Sequence, residues 1–322
     1  MFIKDPTKER YNFKEQEERI MNKRLPQSCK SGDRVAIIAP SSPFQKKWLD
    51  EGCNILRSWG LEPIYEQTIF DEWGYLSGRD EVRSKALIDA FFDPDIKAIL
   101  SARGGYGSLR LVEGLPYEQL SKHKKRFFGF SDITLLHQVF EQKSNFISFH
   151  APMIASQIFI EGTSESQERL KKALFADTIE EIAPPITAKP LQKGRGKGRL
   201  IGGNLSLIIS SIGTPWQLNA KGAILFIEDV SEPPYRIDRM IQQLRYTGVL
   251  EQISGLILGD FGSLKDRFQQ YDPRDFWQER LKLPKELPIV YDFPCGHIRD
   301  NYTMPIGANA EINGNSGVVS FS

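Results

Sequence analysis

Three polar residues, each at the end of an apolar run, give this chain the outline of a nucleophilic site. Ser131 lies in Phe127-Phe128-Gly129-Phe130-Ser131-Asp132-Ile133-Thr134-Leu135-Leu136-His137, where a short apolar strand passes into an amphipathic helix. Such an elbow lifts a hydroxyl above the end of a sheet, and the N–H of the next residue, Asp132, can face an oxyanion beside the helix N-terminus. Gly-x-Ser followed by Asp is equally the pattern of a helix-capping loop, so a nucleophile requires a base and a group to orient it. Ala223-Ile224-Leu225-Phe226-Ile227-Glu228-Asp229 is a buried-strand pattern ending in carboxylates, and Pro288-Ile289-Val290-Tyr291-Asp292-Phe293-Pro294-Cys295-Gly296-His297 reads as another strand, ending in a histidine. The order serine, acid, histidine is that of the α/β-hydrolases, yet Ile133 stands where the second glycine of Gly-x-Ser-x-Gly belongs. The pattern predicts the logic of a serine triad on a different fold.

The choice of acid and base stays open at this level. Glu228 continues the face of Ile224 and Phe226 while Asp229 lies on the other, and either carboxylate could instead cap a helix or pair with Arg236 or Arg239. Of the four histidines, His123 sits in the charge run Lys122–Arg126 and reads as solvated. His137 is about 600° round the helix from Ser131 and points away from it. His150 ends the apolar stretch Phe146–Phe149 and competes with His297 as base, or lines the pocket. The cluster Arg103-Gly104-Gly105-Tyr106-Gly107-Ser108 follows another strand. It has neither the spacing nor the acid of a dinucleotide loop, which leaves a backbone turn or a close approach to a ligand. Arg103 beside it has the forked donor that a substrate carboxylate would need. No His/Cys/Glu cluster has metal-ligand spacing, so neither a metal nor an organic cofactor is expected.

These residues need elements to hold them. Val35–Pro40, Leu61–Tyr65 and Ala98–Ser101 read as strands, with helices over Trp48–Trp59 and Arg79–Phe92 and a helical start at Leu109–Gly114. Strand alternating with helix at this spacing predicts a doubly wound parallel sheet. The proline-containing Ile182–Thr187 and the basic, glycine-rich Lys193–Arg199 read as a linker or exposed hairpin. No aromatic residues are interleaved there for base stacking, so nucleic acid is not expected as a partner. A second half then carries a helix over Leu205–Ile212, the Glu228 strand, a helix over Ile237–Tyr246, the strand Gly255–Asp260, the strand before His297 and a β-like tail at Val318–Phe321. The expected organisation is an N-terminal extension (1–30), an N-terminal α/β domain with the nucleophile (31–165), a linker (166–198) and a smaller C-terminal α/β domain with the acid and base (199–322). With 322 residues, 40% of them hydrophobic, the chain can bury two cores, and a formal net charge of +1 gives no global attraction to nucleic acid or an anionic membrane. Three scattered cysteines, no signal-like N-terminus and no apolar run of membrane-spanning length predict a soluble, cytoplasmic protein.

Taken together, Gly32-Asp33-Arg34-Val35-Ala36, Ala39-Pro40-Ser41-Ser42, Arg103-Gly104-Gly105-Tyr106-Gly107, Gly129-Phe130-Ser131-Asp132, His150-Ala151-Pro152-Met153, Gly202-Gly203-Asn204-Leu205, Glu228-Asp229, Pro234-Tyr235-Arg236-Ile237-Asp238-Arg239 and Gly296-His297 with Asn301 resemble the LD-carboxypeptidases, the S66 serine peptidases. The likeness runs from about Ser31 to the C-terminus. It implies a two-domain α/β enzyme, its C-terminal domain of swivelling or barrel-like form. It implies a catalytic Ser131, Glu228 and His297, an oxyanion hole from the N–H groups of Gly105 and Asp132, and substrate contacts from Arg103, His150 and Asn204. It also implies a cytoplasmic homodimer that removes the terminal D-alanine from murein tetrapeptides in peptidoglycan recycling. Two other readings belong with it. One is an amidase of the microcin C immunity type acting on a peptidyl-nucleotide, with Trp216 or Tyr235 stacking the base; the other is a non-catalytic ligand-binding relative.

Overall fold

The computed structural model describes residues 25–265 and 269–322. The apolar runs of the first half form strands β1 (Arg34–Ile38), β2 (Glu62–Ile64), β3 (Ile96–Ser101), β4 (Arg126–Gly129) and β5 (Ser148–His150), interleaved with helices α1 (Lys46–Ser58), α2 (Asp80–Phe92) and α3 (Thr134–Val139). The strands are parallel in the order β2-β1-β3-β4-β5, so the winding reverses between β1 and β3. That reversal opens a crevice at the carboxyl ends of the strands, where open α/β sheets bind ligands.

The second half begins with α4 (Ser164–Phe175) and contains β6 (Ile186–Thr187), β7 (Lys189–Gln192), β8 (Arg195–Asn204), α5 (Leu205–Ser211), β9 (Ile224–Glu228), α6 (Pro234–Tyr246), β10 (Gly255–Leu258), α7 (Pro273–Leu281), β11 (Ile289–Tyr291), β12 (Met304–Ile306), β13 (Asn309–Asn313) and β14 (Val318–Phe321). Its eight-stranded sheet has the order β6-β14-β13-β8-β9-β10-β11-β7. The two edge strands are separated in sequence by Ala188 alone, which requires the sheet to curl until its edges nearly meet. Strand β8 turns the corner, its first five residues pairing with β13 and its last five with β9. The expected α/β class with a barrel-like second sheet is therefore the architecture found.

The expected linker over 166–198 is replaced by ordered structure: most of α4, both edge strands of the second sheet and the start of β8. Its basic, glycine-rich run is a strand whose glycines permit close packing rather than flexibility. A Cβ on Gly196 or Gly198 would lie 2.1 Å from the carbonyl oxygens of Ser254 and Gly222, while Lys197 points outward to Glu311 at 2.5 Å. Of the expected extension 1–30, residues 1–24 lie outside the described residues. The remainder packs on the fold, with Cys29 buried and its N–H bonded to the Leu174 carbonyl at 2.8 Å.

The halves are joined rather than tethered. Strand β12 leaves the second half to pair antiparallel with β5 at the edge of the first sheet. One apolar cluster runs from Val35, Leu100 and Phe128 into Phe226, Ile257 and Val290. At the seam, Thr134 Oγ1 accepts the N–H of Asn204 at 2.9 Å, Gln138 Nε2 donates to Ser211 Oγ at 2.9 Å, and buried Arg199 and Glu141 pair at 3.1 Å.

Arg126 opens β4 and is almost fully buried. Its guanidinium donates to the carbonyls of Pro26 (3.0 Å), Ala173 (2.7 Å) and Ala176 (2.7 Å), so one cation closes the C-terminal end of α4 and fixes the segment before β1. Burial pulls its pKa down to about 10. Removing the side chain leaves three carbonyls unmet and a void, so Arg126→Ala is expected to cost about 3 to 5 kcal/mol. Urea denaturation at unchanged m-value measures this; a loss under about 1 kcal/mol would show that the carbonyls find other donors.

Candidate active site

Ser131 occupies the elbow between β4 and a single 3-10 turn (Ser131–Ile133) that runs into α3. Its φ is 62°, a left-handed conformation uncommon for a residue with a Cβ, and one that presents the hydroxyl at the end of the sheet. The elbow demands small neighbours. A Cβ on Gly129 would come within 2.9 Å of Ser101 Oγ and of Ile133. The glycine turn after β3 lies directly against the serine, because a Cβ on Gly104 would sit 3.1 Å from Ser131 Cβ and 3.3 Å from its Oγ. Gly105, at φ 103°, has its Cβ direction filled by Ser42 Oγ at 2.4 Å. Ser42 ties the turn down, its N–H bonding the Gly104 carbonyl and its Oγ accepting the Tyr106 N–H, both at 3.1 Å.

Alternation along β9 sends Glu228 and Asp229 to different tasks. Glu228 is fully buried, and its Oε2 lies 2.8 Å from His297 Nδ1. Asp229 accepts the N–H and Oγ–H of Ser206 at 2.9 and 2.7 Å, at the start of α5, and the Asn204 amide at 3.1 Å. His297 lies six residues beyond the end of β11, on a loop rather than at the strand end. Asn301 Oδ1 shapes that loop by accepting the Gly296 N–H at 3.0 Å. Gly296, at φ 133°, leaves room for the acid: a Cβ there would be 3.2 Å from Glu228 Oε2.

The electrostatics of the pair follow from this packing. Burial alone would lower the His297 pKa, but the hydrogen bond and charge of Glu228 outweigh it and hold the imidazole above its ordinary 6.5. Burial pushes the Glu228 carboxyl up, and the contact with His297 opposes that. Glu228 Oε1 is buried with no hydrogen-bond partner among the described residues, so the bond from His297 to Oε2 is what offsets the carboxylate's burial. The His297 ring also packs on Phe130, centroids 4.7 Å apart, which places the imidazole beside the residue preceding Ser131. In this conformation Ser131 Oγ makes no hydrogen bond among the described residues; the structure joins Glu228 to His297 and the elbow to the glycine turn.

The other expected contacts are placed less openly. His150 is fully buried at the end of β5, its ring against Phe130 and Phe226 with neither nitrogen hydrogen-bonded among the described residues, and burial holds its pKa well below 6.5. It supports the floor of the site instead of lining its surface. Asn204 caps α5 by accepting the Leu207 N–H at 3.2 Å and donates to Asp229, so its side chain is committed within the fold. Arg103 is exposed beside the turn and donates to the Pro43 carbonyl at 2.5 Å. His137 is buried away from the site as expected, bonded to Ser148 and to the Gly129 carbonyl at 2.8 Å each, its pKa lowered to about 4 by burial. Sequence reading assigned no role to Ser41, Ser42, Ser108, Thr134 or Asn301, which hold the loops. Their only signal was position immediately after a strand or beside the motifs already singled out. A cavity of about 250 Å³ opens next to the His297 loop, lined in part by Asp260, Trp277, Asp292 and Ile298. Among the described residues no group of three or more His, Cys, Asp or Glu could hold a metal ion, and no helix is long and apolar enough to cross a membrane.

Comparison with known proteins places this geometry. The chain is 35% identical over 294 residues to a Bacillus subtilis protein named "Probable murein peptide carboxypeptidase", covering 89% of this chain and 91% of that one. It is 31% identical to the murein tetrapeptide carboxypeptidase of Pseudomonas aeruginosa, with 88% and 94% covered. The crystal structure of muramoyltetrapeptide carboxypeptidase from Oxalobacter formigenes superposes with a TM-score of 0.78 at 31% identity, covering 89% of this chain and 97% of that one. The microcin C7 self-immunity protein MccF shares the fold, with a TM-score of 0.81 at 22% identity over 93% of this chain and 98% of its own. Residues 35–151 match the LD-carboxypeptidase N-terminal domain and residues 197–312 its C-terminal domain. The chain thus belongs to the LD-carboxypeptidase family and is an enzyme of the serine-type carboxypeptidase class.

Proposed function

We propose that the protein removes the terminal D-alanine from murein tetrapeptides, as a step in peptidoglycan recycling, through Ser131, His297 and Glu228. The observation that carries this reading is the buried Glu228–His297 pair at 2.8 Å, set against the residue that precedes a left-handed serine. Substrate brings its scissile carbonyl over the glycine turn. Ser131 Oγ attacks as His297 Nε2 takes its proton, and the N–H groups of Gly105 and Asp132 receive the oxyanion. Glu228 keeps Nδ1 protonated, which leaves Nε2 as the acceptor, and stabilises the imidazolium that forms. The C–N bond breaks as His297 returns the proton to the leaving amine. Water, deprotonated by the same imidazole, then hydrolyses the acyl-enzyme. Catalytic hydrogen bonds often tighten only when substrate arrives, which fits the absence of a bond on Ser131 Oγ. The names of the similar proteins support the murein substrate. Neither aromatic residue suggested for a nucleotide lends it support: Trp216 packs against the core and Tyr235 projects into solvent at the start of α6.

Four outcomes test the reading. Ser131→Ala is expected to fold normally and to lose hydrolysis of a defined murein tetrapeptide by at least about 10³-fold; near-native turnover of the purified variant would remove the serine from the mechanism. Because the base acts unprotonated and its pKa is raised, kcat/KM should fall as pH drops through a midpoint above 6.5. Glu228→Gln removes the interaction that raises it while the burial remains, so the midpoint should move to lower pH, with a rate loss on the order of 10³ to 10⁴. A midpoint that stays in place would separate the acid from the base. Arg103 is the proposed clamp for the free α-carboxylate: Arg103→Ala should lose about 30-fold or more in kcat/KM on the acid substrate and much less on its C-terminal amide. Equal losses on the two would mean that the bond to Pro43 is its whole role.

A further inference from the structure

The carboxylate of Asp132 is fully buried, yet the reaction above uses only that residue's backbone. Its Oδ2 accepts the Ser41 hydroxyl at 2.5 Å and the Ser108 N–H at 2.8 Å, while the Asp132 carbonyl accepts the Ser108 hydroxyl at 2.5 Å. Its other oxygen, Oδ1, is buried with no hydrogen-bond partner among the described residues. Ser41 follows β1, Gly107 and Ser108 end the glycine turn after β3, and Asp132 belongs to the elbow after β4. One side chain therefore joins the three loops that surround the crevice where the sheet reverses its winding. A second strut crosses two of the same loops: buried Arg83 donates from Nη1 to the carbonyls of Pro40 and Gly107.

Burying a carboxylate is unfavourable unless its lone pairs are met, and here the partners that meet Oδ2 are drawn from the segments that must be held together. Burial raises the pKa of this group and the bonds from Ser41 and Ser108 oppose the rise. A loop can keep its shape with neutral turns alone. Two backbone donors aimed at one oxygen need a fixed separation, since their effect depends on distances held to a few tenths of an ångström.

We propose that the Asp132 side chain is a positioning group for the oxyanion hole, locking the glycine turn against the nucleophile elbow so that the N–H groups of Gly105 and Asp132 face a single oxygen. The inference rests on the serine-peptidase reading and adds to it a residue that acts through its neighbours' backbone.

Its test uses the full chain and two ligands: a peptide aldehyde, whose adduct with Ser131 carries the oxyanion, and a non-hydrolysable substrate analogue. Asp132→Ala is expected to lower kcat about 10²-fold and to weaken the aldehyde to match, with KM and analogue affinity changed less than about twofold. Asp132→Asn, whose amide oxygen can accept the same bonds, should recover most of the rate, and Ser41→Ala should fall between. Parallel losses of kcat and analogue affinity, no recovery with asparagine, or full kcat in Asp132→Ala would overturn the proposal. Should Asp132→Ala fail to fold, Ser41→Ala decides, and unchanged kcat and aldehyde affinity there would also overturn it. An active Ser131→Ala would instead defeat the serine reading, whatever the Asp132 variants do.

Discussion

A carboxylate with no exposed surface, facing an imidazole from another loop, is the constraint around which this molecule is arranged. Glu228 has no exposed surface, and its Oε2 meets His297 Nδ1 at 2.8 Å, so the loop carrying His297 closes on it. The closure explains why Gly296 and Asn301 stand where they do. Gly296 takes a positive φ and spares the carboxylate a contact at 3.2 Å, and the asparagine fixes the turn that delivers the ring. Packing of that ring on Phe130 then carries the constraint across to the first sheet. The charge relationship within the pair and the apposition of the two halves are one arrangement seen at two scales.

Rigidity in the site comes from strand ends rather than from long loops. Ser131 follows β4, the glycine turn follows β3, and Ser41 and Ser42 follow β1. From the other half, Glu228 ends β9 at a point where β8 pairs with it residue for residue through Asn204. Asn204 and Thr134 meet across the seam, so the helix behind Ser131 and the strand beside Glu228 share a hydrogen bond. Gly203 permits that approach, since a Cβ there would lie 2.5 Å from Thr134 Oγ1. A shift of either half would move His297 relative to Ser131, and the continuous core beneath the seam resists such a shift.

Much of this was legible in the sequence because parallel strands buried on both faces read as unbroken apolar runs. Val35–Ile38, Phe127–Phe128 and Ile224–Ile227 announce themselves in that way, and the polar residues that follow them mark the site. Period two put Glu228 and Asp229 on different faces without saying which would meet a histidine; in the fold Glu228 meets His297, and Asp229 meets Ser206 and Asn204. Lys193–Arg199 was misread because glycine signals flexibility in isolation, whereas here it admits neighbouring backbone at close range. The histidine at 150 looked available for ligand because a strand end is usually open, but Phe130 and Phe226 from the two halves cover it. Strand β12 left no signal at all: three residues with Pro305 in the middle carry no alternation, and proline is tolerated there because the strand is an edge.

That edge strand has a consequence for the order in which the molecule can be completed during synthesis. β5 has β4 on one side and acquires its other neighbour only when residues 304–306 have been made, more than 150 positions later. A ribosome therefore releases the sheet that carries Ser131 with an open flank, and the flank stays open through translation of most of the barrel. His150 pairs with Met304 in that late ladder, so the floor beneath His297 is among the later parts to close. A chain stopped short of β12 would carry Ser131, Glu228 and His297 together and still lack the strand that seals the sheet beneath them.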